Sequence, residues 1–340
     1  MSHLRNLGVV AVAAVALSLS ACAPASDGGE AVASDGVFPV TIEHVYGTTT
    51  IESKPERVAT VAWANHEVPL ALGIVPVGMS KASWGDDDDN GVLPWVEEKL
   101  EELDAEMPVL FDETDGIDFE AVADTQPDVI LASYSGITQE EYDTLSKIAP
   151  VVAYPEVAWA TPVDEMVLMN SKALGLEAEG EQLVADLQAD IDGALAAHSE
   201  LDGKKVLFAY IDSSDLSQVG FYTTHDTRPG FLADNGLPMP TIVEEESEGT
   251  DEFYVSVSSE EADRFDDVDV FVTYGDPDGE LIAQMQADPL LSQIPAIANG
   301  SIVILQDSTP LAASANPSPL SIMWGVDEYF GLLASTLTAG

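Results

Sequence analysis

The stretch 180–198 reads GEQLVADLQADIDGALAAH, and its apolar residues Leu183, Leu187, Ile191 and Leu195 recur at every fourth position. That spacing gathers them on one face of a helix of about 3.6 residues per turn, whereas a strand alternates every second residue. The segment therefore predicts one long amphipathic helix ending near His198. Upstream, Thr161-Pro162 reads as an N-cap followed by the first helical position, with Asp164 in the first turn. Gly175 and Gly180 read as interruptions between that start and the long run.

Short apolar, β-branched runs flank this helix on both sides. Before it, 57–62, 75–79, 129–132 and 151–153 read as strands and 67–72 as a short helix. After it, 205–211, 268–274 and 302–305 form a second set of strands, and 320–333 a helix returning to the body. Brief apolar strands separated by helical stretches indicate parallel, buried sheets. The order predicts an α/β chain: two Rossmann-like lobes joined by one long α-helix, which acts as a stiff strut. The expected segments are 1–21 as a signal, 22–37 as a tether, 38–160 as the first lobe, 161–201 as the helical linker and 202–340 as the second lobe. Ligand is expected between the lobes, at the carboxyl ends of the parallel strands.

Cys22 is the sole cysteine, so no disulfide forms within the chain. It follows Leu19-Ser20-Ala21, an uncharged run over 7–19, and Arg5. A short basic region, an apolar core and small residues at a cleavage site make a secretory signal. The apolar core falls short of the roughly 20 residues a membrane-spanning helix needs. Leu-Ser-Ala-Cys looks like the lipobox of bacterial lipoproteins, in which the cysteine is diacylated and becomes the new amino terminus. The plainer alternative is an ordinary signal peptide ending in an incidental cysteine.

The chain carries 61 Asp and Glu against 11 Lys and Arg, a formal charge of −50. Such a field repels nucleic acid and anionic surfaces, and it disfavours polyanionic ligands. Most of these carboxylates read as a solvated acidic surface, compatible with a salty medium that screens self-repulsion. Asp86-Asp87-Asp88-Asp89 is placed with them and not with twelve-residue calcium loops. Five scattered histidines, His66 and His225 among them, show no paired spacing for a metal cage. No G-x-S-x-G, H-E-x-x-H or phosphate-cradling glycine loop is present. A carboxylate-based hydrolase stays as a distant alternative.

The two halves echo each other. Asp118-Phe119-Glu120-Ala121 precedes Pro127-Asp128-Val129, and Ser258-Ser259-Glu260-Glu261 precedes Asp269-Val270. Each reads as an N-cap, a carboxylate in the first helical turn, a helix, and an aspartate leading into a strand. Ser258 with Glu261 fits the capping-box spacing.

Taken in order, Lys54-Pro-Glu-Arg-Val58, Leu72-Gly-Ile-Val-Pro-Val-Gly78, Gln126-Pro-Asp-Val-Ile-Leu131 and Lys147-Ile-Ala-Pro-Val151 carry a family resemblance. From about residue 38 to 333 the chain resembles the class III periplasmic-type substrate-binding proteins of importers for iron–siderophore complexes and vitamin B12. Within that group, Val92-Leu-Pro-Trp95, Tyr134-Ser-Gly136, Tyr142 and the stretch 155–162 are most similar to iron–siderophore lipoproteins of actinobacteria. The resemblance implies a non-enzymatic, monomeric binding lipoprotein on the outer face of the membrane. Its implied partners are a ferric siderophore and the permease subunits and ATPase of an ABC importer. Iron is carried only inside the siderophore, with no intrinsic cofactor; a corrinoid or haem is the alternative cargo.

A large ferric chelate needs aromatic walls and a few polar anchors. Trp63, Trp84 and Tyr134 follow first-lobe strands, and Tyr210, Tyr222 and Tyr274 take matching places in the second lobe. Arg228 sits in a loop opening a helix, and a guanidinium suits hydroxamate or carboxylate oxygens. Its alternative is a salt bridge with one of the many acids. Lys81 and Trp159 are weaker candidates. By resemblance, Glu120 and Glu260 dock against arginines of the two permease subunits. Cys22→Ala is expected to release the protein from membranes or to block its maturation. Fractionation and intact mass check this, and unchanged membrane retention and mass would defeat the anchor.

Overall fold

The computed structural model describes residues 37–337. Cys22, the signal and nearly all of the tether lie outside the described residues. The first sheet has the order β5-β4-β3-β6-β7, with every pair parallel. Its strands are β3 (Val58–Thr60), β4 (Gly78–Ser80), β5 (Val109–Phe111), β6 (Val129–Leu131) and β7 (Val151–Val152). The intervening helices are α1 (Glu67–Ala71), α2 (Pro94–Glu102), α3 (Phe119–Asp124) and α4 (Gln139–Leu145). An antiparallel hairpin, β1 (Val40–His44) and β2 (Gly47–Ile51), precedes them.

Two helices follow, α5 (Val163–Ala173) and the 21-residue α6 (Glu177–Ala197). The second sheet has the order β10-β9-β8-β11-β12. It contains β8 (Val206–Tyr210), β9 (Gln218–Tyr222), β10 (Tyr254–Ser258), β11 (Val270–Gly275) and β12 (Ile302–Gln306). With it come α7 (Thr227–Asp234), α8 (Thr241–Ser247), α9 (Glu280–Ala287), α10 (Pro295–Asn299), α11 (Pro310–Ser314) and α12 (Pro319–Ser335). Among the described residues no helix is long and apolar enough to cross a membrane.

Four local expectations are corrected. The second sheet is mixed, because β9 and β10 run antiparallel and only β8, β11 and β12 are parallel. Thr161 does not cap α5: Pro162 holds that position, while the Thr161 hydroxyl donates to the Ser133 carbonyl at 2.6 Å. Gly180 does not interrupt the long helix but lies within its first turn. A Cβ there would stand 1.9 Å from Ser171 Oγ, so glycine is what lets α6 close against α5. The internal echo is also imperfect, since Ser259–Phe265 is a 3₁₀-helix while its counterpart α3 is α-helical. Ser258 Oγ accepts from Glu260 N at 3.2 Å, and Glu261 turns to Arg264 at 2.9 Å, so no capping box forms.

The largest apolar cluster joins the second sheet, α5, α6 and α12 to Ala64, Val68 and Tyr134 of the first lobe. Leu183, Leu187 and Ile191 of α6 pack with Met166 and Val167 of α5, with Phe208 and Val272 of the second sheet, and with Phe330 and Leu333 of α12. Helix α12 also returns to the first sheet's helices. Trp324 packs on Trp95 of α2 with ring centroids 5.2 Å apart. Beside them the fully buried Glu67 accepts from Trp95 Nε1 at 2.7 Å and from Leu320 N, at the start of α12, at 2.8 Å. The exposed amides of a helix start suit a carboxylate.

Burial nevertheless raises the Glu67 pKa from 4.5 to about 7. Folded chains then hold more protons at Glu67 than unfolded ones between these values. This group's share of stability is complete below the lower value and is lost as pH rises through the upper one. Glu67→Gln is expected to remove up to about 3 kcal/mol of the stability lost over that window. Denaturant unfolding of both proteins at pH 4.5 and pH 8 checks this; identical pH dependence would refute it.

Candidate functional site

The order reversal of the first sheet falls between β3 and β6, and the loops leaving their carboxyl ends carry Trp63 and Tyr134. One buried side chain fixes both loops. Asn65 donates from Nδ2 to Val61 O at 2.9 Å and to Tyr134 O at 2.8 Å. Its Oδ1 accepts from Tyr134 N at 3.1 Å and Ser133 Oγ at 3.2 Å. Ala62 and Ala64, on either side of Trp63, have φ of 61° and 62°, a left-handed backbone that costs free energy for alanine. Glu113 Oε2 holds this turn by accepting from Ala62 N at 2.9 Å. Neither Asn65 nor Glu113 was singled out from sequence, because an isolated amide or acid has no periodic signal.

Trp159 meets Tyr134 edge-on at 5.5 Å, and its backbone N donates to Ser135 O at 2.9 Å. It lies so close over Gly136 that a Cβ there would come within 2.1 Å of the indole nitrogen. The Ser-Gly after Tyr134 is therefore what makes room for this ring.

In the second sheet the matching reversal lies between β8 and β11, whose carboxyl ends carry Tyr210 and Tyr274. Phe208 packs on Tyr222 and on Tyr274, each at 5.6 Å. The Arg228 guanidinium lies 4.4 Å from the centroid of Tyr222, within cation–π range. Its Nε donates to the Tyr274 hydroxyl at 3.1 Å and its Nη1 meets Asp226 Oδ2 at 2.7 Å. Among the described residues no acceptor meets Nη2. Burial works against the Arg228 charge, but Tyr274 and Asp226 outweigh it and hold its pKa above the ordinary value. Burial pushes the Tyr222 phenol up to about 12 and also raises Tyr134 and Tyr274, so these hydroxyls stay protonated near neutrality.

Contacts at the site also cross between the lobes. Trp84 meets Tyr274 edge-on at 5.5 Å. The Tyr134 hydroxyl lies 3.1 Å from Thr227 Oγ1 and 3.3 Å from Asn316 Oδ1. The structure thus brings Trp84, Tyr134, Trp159, Tyr222 and Tyr274 into one apolar cluster, with Arg228 against Tyr222 and Tyr274. Trp63 is partly buried at its edge. Tyr210 stands apart: it is 47% exposed and makes none of the ring contacts. Lys81 is exposed, while His66 is buried and its pKa falls to about 4 for that reason, which keeps it neutral. Glu120 and Glu260 are both exposed, one beside each sheet.

The ring contacts fall into two groups, Trp84–Tyr274–Phe208–Tyr222 and Tyr134–Trp159. A cavity of about 530 Å³ lies between α6 and α7, lined by Val184, Leu187, Ile191, Phe231 and Asp234, and reaches Asp226 and Thr227 beside Arg228. The acidic run also differs from its sequence reading. Asp86, Asp88 and Asn90 alternate, Gly91 follows at φ 88°, and Glu97 stands in the first turn of α2. That is the residue order of a twelve-residue calcium loop, with ligand types at alternate positions, the turn glycine sixth and the glutamate twelfth. The turn closes on itself, with Gly91 N donating to Asp86 Oδ2 at 2.6 Å.

Comparison with known proteins adds three likenesses. The structure of Streptococcus pneumoniae TIGR4 PiaA in complex with ferrichrome is 49% identical, with a TM-score of 0.83, over 87% of this chain and 98% of that one. A periplasmic solute binding protein of Mycobacterium smegmatis is 25% identical, with a TM-score of 0.70, over 88% and 98% respectively. The probable siderophore-binding lipoprotein YfiY of Bacillus subtilis is 27% identical over 280 residues, 80% of this chain and 79% of YfiY. Residues 58–309 match the periplasmic binding protein family model. With two α/β sheets bridged by α6 and aromatic residues at the carboxyl ends of strands from both, this chain belongs to the periplasmic binding protein family.

Proposed function

We propose that this chain captures a ferric siderophore of the hydroxamate type between its lobes and hands it to an ATP-driven importer. The carrying observation is Arg228 set against the aromatic cluster at Tyr222 and Tyr274, its Nη2 without an acceptor among the described residues. Flat rings give apolar walls to a bulky chelate, and a guanidinium edge gives a charge-assisted hydrogen bond to a hydroxamate oxygen. Likeness to a protein solved with ferrichrome supports the same class of cargo. Iron here is cargo held by the siderophore. The chain acts as a binding protein and not an enzyme, and diacylated Cys22 keeps it at the outer face of the cell membrane.

Ferrichrome is expected to quench tryptophan fluorescence with one-to-one stoichiometry and to be released unchanged, because Trp84 and Trp159 flank the site. A panel of ferric hydroxamates, catecholates, citrate, haem and cobalamin, read by the same titration, tests the assignment. Preference for haem or cobalamin, or turnover of any ligand, would overturn it.

Delivery uses one exposed carboxylate on each lobe. Glu120 stands in the first turn of α3, and Glu260 in the turn that opens after β10. Helix stabilisation alone is worth about 0.3–1 kcal/mol for such a residue and requires no pair. The double variant Glu120→Ala with Glu260→Ala is expected to keep siderophore affinity within about twofold, since distant sites act independently. Uptake and importer-stimulated ATP hydrolysis should fall sharply, because rim charges set encounter and orientation. Normal transport by the folded, ligand-bound double variant would rule out the docking role.

A further inference from the structure

Arg228 does not stand in its cluster as a free positive charge. Asp226, two residues earlier, is 3% exposed, and its two oxygens serve different purposes. Oδ1 accepts from Arg228 N at 2.9 Å and caps α7, while Oδ2 meets Arg228 Nη1 at 2.7 Å. The other groups around the guanidinium are the Tyr222 and Phe208 rings and the Tyr274 hydroxyl, all uncharged near neutrality. Among the described residues the Asp226–Arg228 ion pair touches the cluster and sums to zero, and the exposed Asp307, whose charge reaches Tyr274, adds no positive charge. An uncompensated carboxylate could not remain ionised at such burial, and an uncompensated guanidinium would draw anions.

We infer that Asp226 is a specificity-determining residue, which neutralises Arg228 so that the cleft selects an electroneutral ferric chelate over an anionic one. This rests on the siderophore reading and deepens it. Three singly negative hydroxamates cancel a ferric ion. Three doubly negative catecholates leave a trianion. Arg228 still offers Nη2 as a directed donor to a neutral oxygen, but it contributes no net attraction for a charged ligand. The overall negative charge acts in the same direction at long range, where salt weakens it; the buried pair is screened far less. Asp226 touches the ligand through Arg228 alone, so it is a positioning residue whose effect is read in selectivity.

The test uses Asp226→Asn, which retains an acceptor for the α7 cap while removing the charge. Three probes are titrated against the unmodified protein and the variant: ferrichrome, an anionic ferric tris-catecholate, and a ferric trishydroxamate bearing a free ammonium group. In Asp226→Asn the ratio of tris-catecholate to ferrichrome affinity should rise at least about tenfold, as one exposed unit charge in a partly buried site requires. The ammonium-bearing probe should weaken relative to ferrichrome. Adding Arg228→Gln to Asp226→Asn makes the site neutral again and should return both ratios to within about threefold of the original, whatever the loss in absolute affinity. Ratios measured on one preparation do not depend on the fraction folded. An equal loss for all three probes assigns Asp226 a merely structural role and overturns the inference, as do unchanged ratios. If the unmodified protein binds none of the probes, the siderophore reading falls and this inference falls with it.

Discussion

The apolar cluster around α6 constrains everything else in the molecule. Leu183, Leu187 and Ile191 are buried in one cluster with residues of α5, α12 and the second sheet, and with Ala64, Val68 and Tyr134 of the first lobe. Each such side chain contributes about 1.5–3 kcal/mol by leaving water. Peeling the second sheet and α12 from the helix would expose several at once, on the order of the 5–15 kcal/mol that holds a whole domain folded. That burial opposes wide hinge opening. The contacts at the mouth are of a different kind: the Tyr134 hydroxyl on Thr227, and Gly85 N donating to Ser308 Oγ at 3.3 Å. Each is worth about 1 kcal/mol net and can be exchanged for ligand contacts. Recognition then falls to side chains at a rim between two nearly fixed bodies.

Charge acts on two scales here. The chain's formal charge of −50 sets a field that salt shortens to about 8–10 Å under ordinary conditions. Inside the aromatic cluster the short-range terms decide, and they comprise one guanidinium, one carboxylate and neutral phenols. The same contrast appears at Glu67. A lone acid among 61 would go unnoticed in the composition, yet burial makes it the group whose proton is held near neutrality. Position, and not abundance, decides which of these carboxylates matter.

Much of the architecture was legible because it rests on periodicity. The four-residue spacing of Leu183, Leu187, Ile191 and Leu195 announces α6, and short β-branched runs announce the parallel strands. What was lost follows from pairing that sequence does not display. Strands β9 and β10 carry Gly220 and polar residues and are held by their antiparallel pairing, with Tyr254 folded over Gly220, where a Cβ would meet its hydroxyl at 1.6 Å. Gly180 reads as a helix breaker until Ser171 is seen against it. At the site, aromatic residues after strands were readable as a set. The Asn65 clamp, the Glu113 contact and the neutralising Asp226 became visible only once the loops were folded.

The most direct test of the account is a crystal structure with ferrichrome bound. The account predicts the chelate between the lobes, bordered by Trp84, Trp159 and Tyr222, with Arg228 Nη2 within hydrogen-bond distance of a hydroxamate oxygen and the Asp226–Arg228 pair intact. A chelate seated in the cavity between α6 and α7, or an Arg228 that leaves Asp226 without touching the ligand, would contradict it.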